Sequence, residues 1–174
     1  MALSKISNGG LDIGSQGFTE SSKITLDAAS ESVTGIPDGV REIHIFHYGM
    51  STSSATPMMR LQIGTSSGLV TSGYVCQYTF IYDSNVVGRA VSAEGFELSN
   101  WGAGIVIDGS WDLYRSNGTD DQWSCRFSSA LYTDYAGQIF GTGSLDLSAP
   151  LDRVALVCAN AGTFDAGTMQ VLYR

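Results

Sequence analysis

A few groups of residues in this chain have the types and spacing to do chemistry. The first is GTSSG at residues 64–68, which fits the GxSxG pattern of serine hydrolases. In that pattern a strand-to-helix turn holds the serine so that its oxygen is exposed at a helix N-terminus. Here LVTSGYV follows, which is poorly suited to opening a helix, and both histidines precede the serine, whereas the hydrolase order puts the histidine last. The stretch therefore reads as a Ser/Gly loop. His44 and His47 are three residues apart. On a helix they would share a face and could pair on a metal, but on a strand they point to opposite sides. With no third ligand nearby, a surface or interface histidine pair is expected instead.

Asn117-Gly118-Thr119-Asp120-Asp121 gathers carboxylates and carbonyls of the kind calcium takes, but it lacks the spacing of a calcium-binding helix–loop–helix, so a solvated hairpin is expected. The same Asn-Gly-Thr is a glycosylation acceptor only in a secretory host. Glu94, Glu97, Asp108 and Asp112 could supply two carboxylates for glycoside cleavage, yet any large β domain carries such residues. Trp101, Tyr114 and Trp123 could stack on sugar rings from loops. Packing in a core or a subunit contact is the plainer reading of the same aromatics. Cys76, Cys125 and Cys158 are far apart, odd in number and without a CxxC, which argues against zinc and for small buried hydrophobes. No catalytic residue, metal site or cofactor is expected.

The elements that must position these residues are read from composition and period. The 174 residues suit one domain, large enough to bury roughly 70% of the unfolded surface. With 21 glycines, 15% charged residues and no sustained 3.6-residue repeat, the chain favours short strands joined by small-residue turns. Residues 1–22 are polar and glycine-rich and read as an extended arm. GIPDGV at 35–40 is a tight turn. The strand after it puts Ile43 and Ile45 on one face and His44, Phe46 and Tyr48 on the other. Met59, Leu61 and Ile63 mark another, and YVCQYTFIY at 74–82 a third. Further strands are expected at 95–99, 103–108, 110–114, 122–132, 137–142, 152–158 and 168–173. In GTFDAGTMQVLYR, Asp165 and Gly167 fit a tight turn. Met169, Val171 and Tyr173 would then line one face of a final strand and Gln170 and Leu172 the other.

The expected fold is all-β: an antiparallel β-sandwich or jelly roll over residues 23–174, with the short extended N-terminal arm of residues 1–22. The absence of α/β alternation excludes a doubly wound nucleotide-binding sheet. A net charge of −8 without a basic patch argues against nucleic acid. No basic-then-apolar leader opens the chain and no apolar run approaches the ~20 residues of a membrane helix, so synthesis in the cytoplasm and no membrane partner are expected.

The order of the segments carries a further signal. It runs LSKI, SKITLD, GIPDGVREIHIFHYGMS, LQIGTSSGLVTSGY, a glycine-rich middle, FGTGSLDL and DRVALVCANAGTFDAGTMQVLYR. This resembles the β-rich modules of tail fibres and other virion-surface proteins of tailed bacteriophages, many of them marine. The likeness covers nearly the whole chain from about Ile24, and the order of the pieces is more specific than any piece. It implies a non-enzymatic, jelly-roll-like, homotrimeric component of the virion, made in the host cytoplasm and acting in host attachment at a tail or fibre. Fibre modules often sit on a long shaft and this chain has only a short arm, so a head-decoration (cement) role is the alternative. A carbohydrate-binding module is a third reading and a glycan-degrading enzyme a fourth. Partners would be two further copies, other capsid or tail proteins and a host surface glycan. In this reading Leu11, Ile13 and Phe18 dock the arm, Phe46, Tyr48, Tyr78 and Phe80 form trimer contacts, and Trp101, Tyr114 and Trp123 meet the glycan.

Overall fold

The structure is a computed structural model that describes residues 17–53, 56–82, 86–98, 102–116, 121–132 and 136–174. Among these residues there are strands and no α-helix. In chain order the strands begin with β1 (Thr19–Glu20), β2 (Ile24–Thr25), β3 (Ser30–Thr34), β4 (Glu42–Thr52) and β5 (Met58–Thr65). Then come β6 (Gly68–Leu69), β7 (Val75–Tyr82), β8 (Val86–Ser92), β9 (Phe96–Leu98) and β10 (Val106–Arg115). The last four are β11 (Gln122–Tyr132), β12 (Gly137–Asp146), β13 (Arg153–Ala159) and β14 (Phe164–Tyr173).

They form two antiparallel sheets packed face to face. The larger has nine strands in the order β1-β14-β4-β10-β11-β12-β7-β8, with β2 also on β14. The smaller has five, β3-β13-β5-β6, with β9 also on β5. The expected all-β sandwich is what forms. Period-2 alternation explains it: in β11, Trp123, Cys125, Phe127, Ser129 and Leu131 are buried, while Arg126 and Ser128 are exposed. Ile43 and Ile45 of β4 are fully buried and Phe46 and Tyr48 face water, as their spacing predicts. Strand β5 is buried on both faces: Met59, Leu61 and Ile63 face the core, and Arg60 and Gln62 are covered on the other side by the segment around Glu94 and Gly95.

Several local expectations are corrected. The predicted strands at 103–108 and 110–114 are one strand, β10, running through Gly109. Its close approach to β11 needs glycine, since a Cβ there would lie 2.4 Å from the Ser129 hydroxyl oxygen. Strand β8 was not foreseen, because Gly88 and Arg89 interrupt the apolar alternation of VVGRAVS. The turn before the last strand is at residues 160–162, where Asn160 and Ala161 both have positive φ, and not at Asp165 and Gly167. Those two residues lie inside β14, where its pairing with β4 shifts register. Gly167, at φ 107, sits against β4 so closely that a Cβ would fall 2.6 Å from the Met50 Cα. Thr19 and Glu20, from the end of the expected arm, pair with Tyr173 and Leu172 as an edge strand.

Candidate functional site

The pairing registers place side chains in rows across the larger sheet. On its inner face Val171, Ile45, Trp111, Phe127, Gly141 and Tyr78 stand in one row. The next row begins Met169, His47, Gly109, Ser129 and Ile139. His47 therefore lies in the core. Its Nδ1–H donates to the Ile107 carbonyl at 3.2 Å, and its Nε2 accepts from the Ser129 hydroxyl at 3.1 Å across the gap left by Gly109. Its ring is 4.8 Å from that of Trp111. Burial pushes its pKa down to about 4, against the opposing pull of the Ile107 carbonyl. Ser129 and His47 thus form a neutral structural pair away from solvent. The expected surface histidine pair is corrected: His44 and His47 take opposite faces, and only His44 faces outward.

On the outer face His44 is the centre of a charged cluster. Its Nδ1 is 2.6 Å from Asp112 and its Nε2 is 3.0 Å from Glu42, so both nitrogens face carboxylates. Arg126 donates to Asp112 at 3.3 Å and to the Tyr114 hydroxyl at 2.8 Å. Arg174 donates to Glu42 at 2.6 Å and lies 4.5 Å over the Phe18 ring, which meets His44 edge-on at 5.0 Å. Burial alone would raise the Glu42 carboxyl, but hydrogen bonds and charge from Arg174 and His44 hold it below the usual range. Both carboxylates of this cluster are bonded to His44 and to one arginine each. It fastens the N-terminal segment and the C-terminal residue to the sheet.

The other sequence candidates fall as follows. GTSSG is the hairpin between β5 and β6, with Ser66 and Ser67 exposed and Ser67 N–H bonded to the Thr65 hydroxyl at 3.2 Å; no helix follows it. Glu94 pairs with Arg60. Glu97 is buried and accepts from Tyr78 at 3.1 Å and Ser92 at 2.9 Å. Asp108 accepts from the Gly49 N–H. Glu94 and Glu97 share Arg60, which lies 3.9 Å from Glu97, while Asp108 and Asp112 have other partners. All three cysteines are buried and unpaired; burial pushes Cys76 up to about 11 and raises Cys125 and Cys158 as well. Among the described residues no group of His, Cys, Asp or Glu is arranged to hold a metal ion.

Trp123 is 1% exposed, so its place among glycan contacts is corrected to the core, where alternation with Cys125 and Phe127 sends it inward. Trp101, Leu11, Ile13 and part of the acidic turn, residues 117–120, lie outside the described residues. Tyr114 is on the outer face, where the Arg126 guanidinium lies 5.2 Å from its ring. Tyr78 is buried and Phe80 packs against the core, so these two are corrected from trimer contacts to sheet interior. Phe46 and Tyr48 are exposed at 46% and 74%.

The outer face also holds an open groove that sequence reasoning missed. Two cross-strand rows make it: Phe140, Thr79 and Arg89, and beside them Thr142, Gln77 and Val91. Its volume is 870 Å³. The signal that could have found it was β8, whose residues form one wall. No protein-family profile, curated protein or solved structure matches this chain.

Proposed function

We propose that this chain is a non-enzymatic structural protein of a tailed phage virion, displayed on the surface, homotrimeric and acting in host attachment at the tail or fibre. The observation that carries the assembly part is the aromatic stripe of Phe18, Phe46 and Tyr48 on the outer face of the larger sheet, 38%, 46% and 74% exposed. Contiguous exposed aromatics on a β surface mark an interface. The stripe is continuous, because the His44 ring bridges Phe18 at 5.0 Å and Phe46 at 6.3 Å. The phage part is supported by the ordered segments from SKITLD to TFDAGTMQVLYR. The non-enzymatic part is supported by the structural contacts that hold Glu94, Glu97, Asp108, Asp112, His44 and His47, and by the absence, among the described residues, of a helix after the exposed Ser66.

Two measurements test the reading. Light scattering on the purified chain is expected to give three copies, and the double variant Phe46→Ser/Tyr48→Ser to give one. A wild-type monomer at about 100 μM, where even weak specific contacts are populated, would sink the trimer. Imaging of intact particles is expected to place the chain at the tail or fibre. Density at capsid three-fold positions would make it a decoration protein instead, and absence from the particle would end the phage reading.

A further inference from the structure

We propose that the groove between β12, β7 and β8 binds an acidic saccharide through its carboxylate and one sugar face. The inference deepens the attachment reading above and rests on it for its biological setting, but its chemistry stands on the groove itself.

The outer-face rows bring together three kinds of group that a carboxylated sugar requires. Phe140, 44% exposed, offers a ring for the apolar face of a pyranose. Directly across from it Thr79, and beside that Gln77, present a hydroxyl and an amide with no side-chain hydrogen bond to another described residue. Such groups are free to take and give hydrogen bonds to sugar hydroxyls. Beyond Thr79 stands Arg89, exposed and without a carboxylate partner among the described residues. The chain carries nine cations against seventeen acids, and Arg60, Arg115, Arg126, Arg153 and Arg174 are all bound to carboxylates. Lys23 and Arg41 likewise have no ion pair among the described residues, and of these three cations Arg89 is the one that lines the groove. Its planar fork suits a carboxylate.

Strand spacing sets the scale. Phe140 and Arg89 are two strands apart, roughly 10 Å, which leaves room for one sugar stacked on Phe140 and a carboxylate reaching Arg89. The net charge of −8 works more strongly against a dense polyanion such as a nucleic acid than against a chain with sparse carboxylates. Gln77 and Thr79 stand beside Phe140 and Val91 in the groove, a mixture that suits a sugar with an apolar face and polar edges.

The test uses the isotope-labelled full chain, with backbone amide shifts followed by NMR. The probes are sialyllactose against lactose, and trigalacturonate against its methyl ester. Both acidic probes are expected to shift amides of Gln77, Thr79, Arg89 and Phe140, and the neutral partners to bind more weakly. Arg89→Gln should weaken the acidic probes about tenfold and erase the preference for acid over neutral. Phe140→Ala should weaken all four. The proposal is overturned if neither acidic probe shifts these amides up to about 10 mM, the weak limit of specific binding. It is equally overturned if Arg89→Gln binds like wild type. If Phe140→Ala breaks up an oligomer while no probe binds, the groove is a subunit contact and the saccharide is wrong. Virion imaging is independent: the chain can be absent from particles and still bind the acidic probes, which would end the phage reading alone.

Discussion

At the scale of single residues, the buried His47 makes stability depend on pH. Its folded pKa of about 4 lies below its ordinary value of 6.5, so the unfolded chain binds the proton first as pH falls. The contribution is complete above pH 6.5 and is lost progressively down to about pH 4, a loss of about 3 kcal/mol for this one group. Urea unfolding at a series of pH values should show it, and His47→Gln should flatten the slope in that window. An unchanged slope would mean that another group governs it. Glu42 acts lower: its carboxyl is held below the usual range, so its contribution is present above about pH 4.5 and is lost as pH falls further. Ala161 gives a second prediction. It holds φ 58, a left-handed conformation that costs an alanine energy and a glycine almost none. Ala161→Gly should raise stability by up to about 1 kcal/mol after the extra freedom of the unfolded glycine is offset, read as a higher denaturant midpoint. The face of each residue was legible in the sequence at Ile43, Ile45, Phe46 and Tyr48, because period 2 alone decides it. The partners were not legible. His44 meets Asp112 across 68 residues, and His47 meets Ser129 across 82.

At the scale of elements, the last strand is interior to its sheet. β14 lies between β4 on one side and β1 and β2 on the other, and Met169 and Val171 are fully buried. The backbone of Arg174 bonds to Arg41 and Glu42. Removing residues 171–174 would take away a buried valine, part of the β4 ladder and the whole pairing partner of β1. The truncated chain should be insoluble or unfolded by circular dichroism; soluble folded protein would contradict this placement. Strand existence was legible wherever alternation was unbroken, as in β7 and β11. It failed at β3 and β6, which carry one apolar residue each, and at β8 and Gly109 of β10, where glycine fits a close contact with a neighbouring ring or strand rather than ending the element. The groove was missed for the same reason, since one wall of it is β8.

At the scale of the whole molecule, the two sheets share one core. Cys76 and Cys125 belong to the larger sheet and Cys158 to the smaller, and burial raises all three thiols. If the sandwich opens as one unit, all three should be inert to a thiol reagent in the folded state and gain reactivity along one common denaturant curve. Cys158 reacting well before the others would instead show that the smaller sheet opens separately. The sequence by itself determined that this protein is an antiparallel sandwich, which faces of its clear strands are apolar, and that its cysteines pack as hydrophobes. Those properties follow from composition and from a two-residue period, both of which are local. Only the tertiary structure decided that His47 is sealed in the core against Ser129, and that Phe140 and Arg89 share a groove. Each of those facts depends on strand order and register between distant segments, and no local pattern encodes which strand lies beside which.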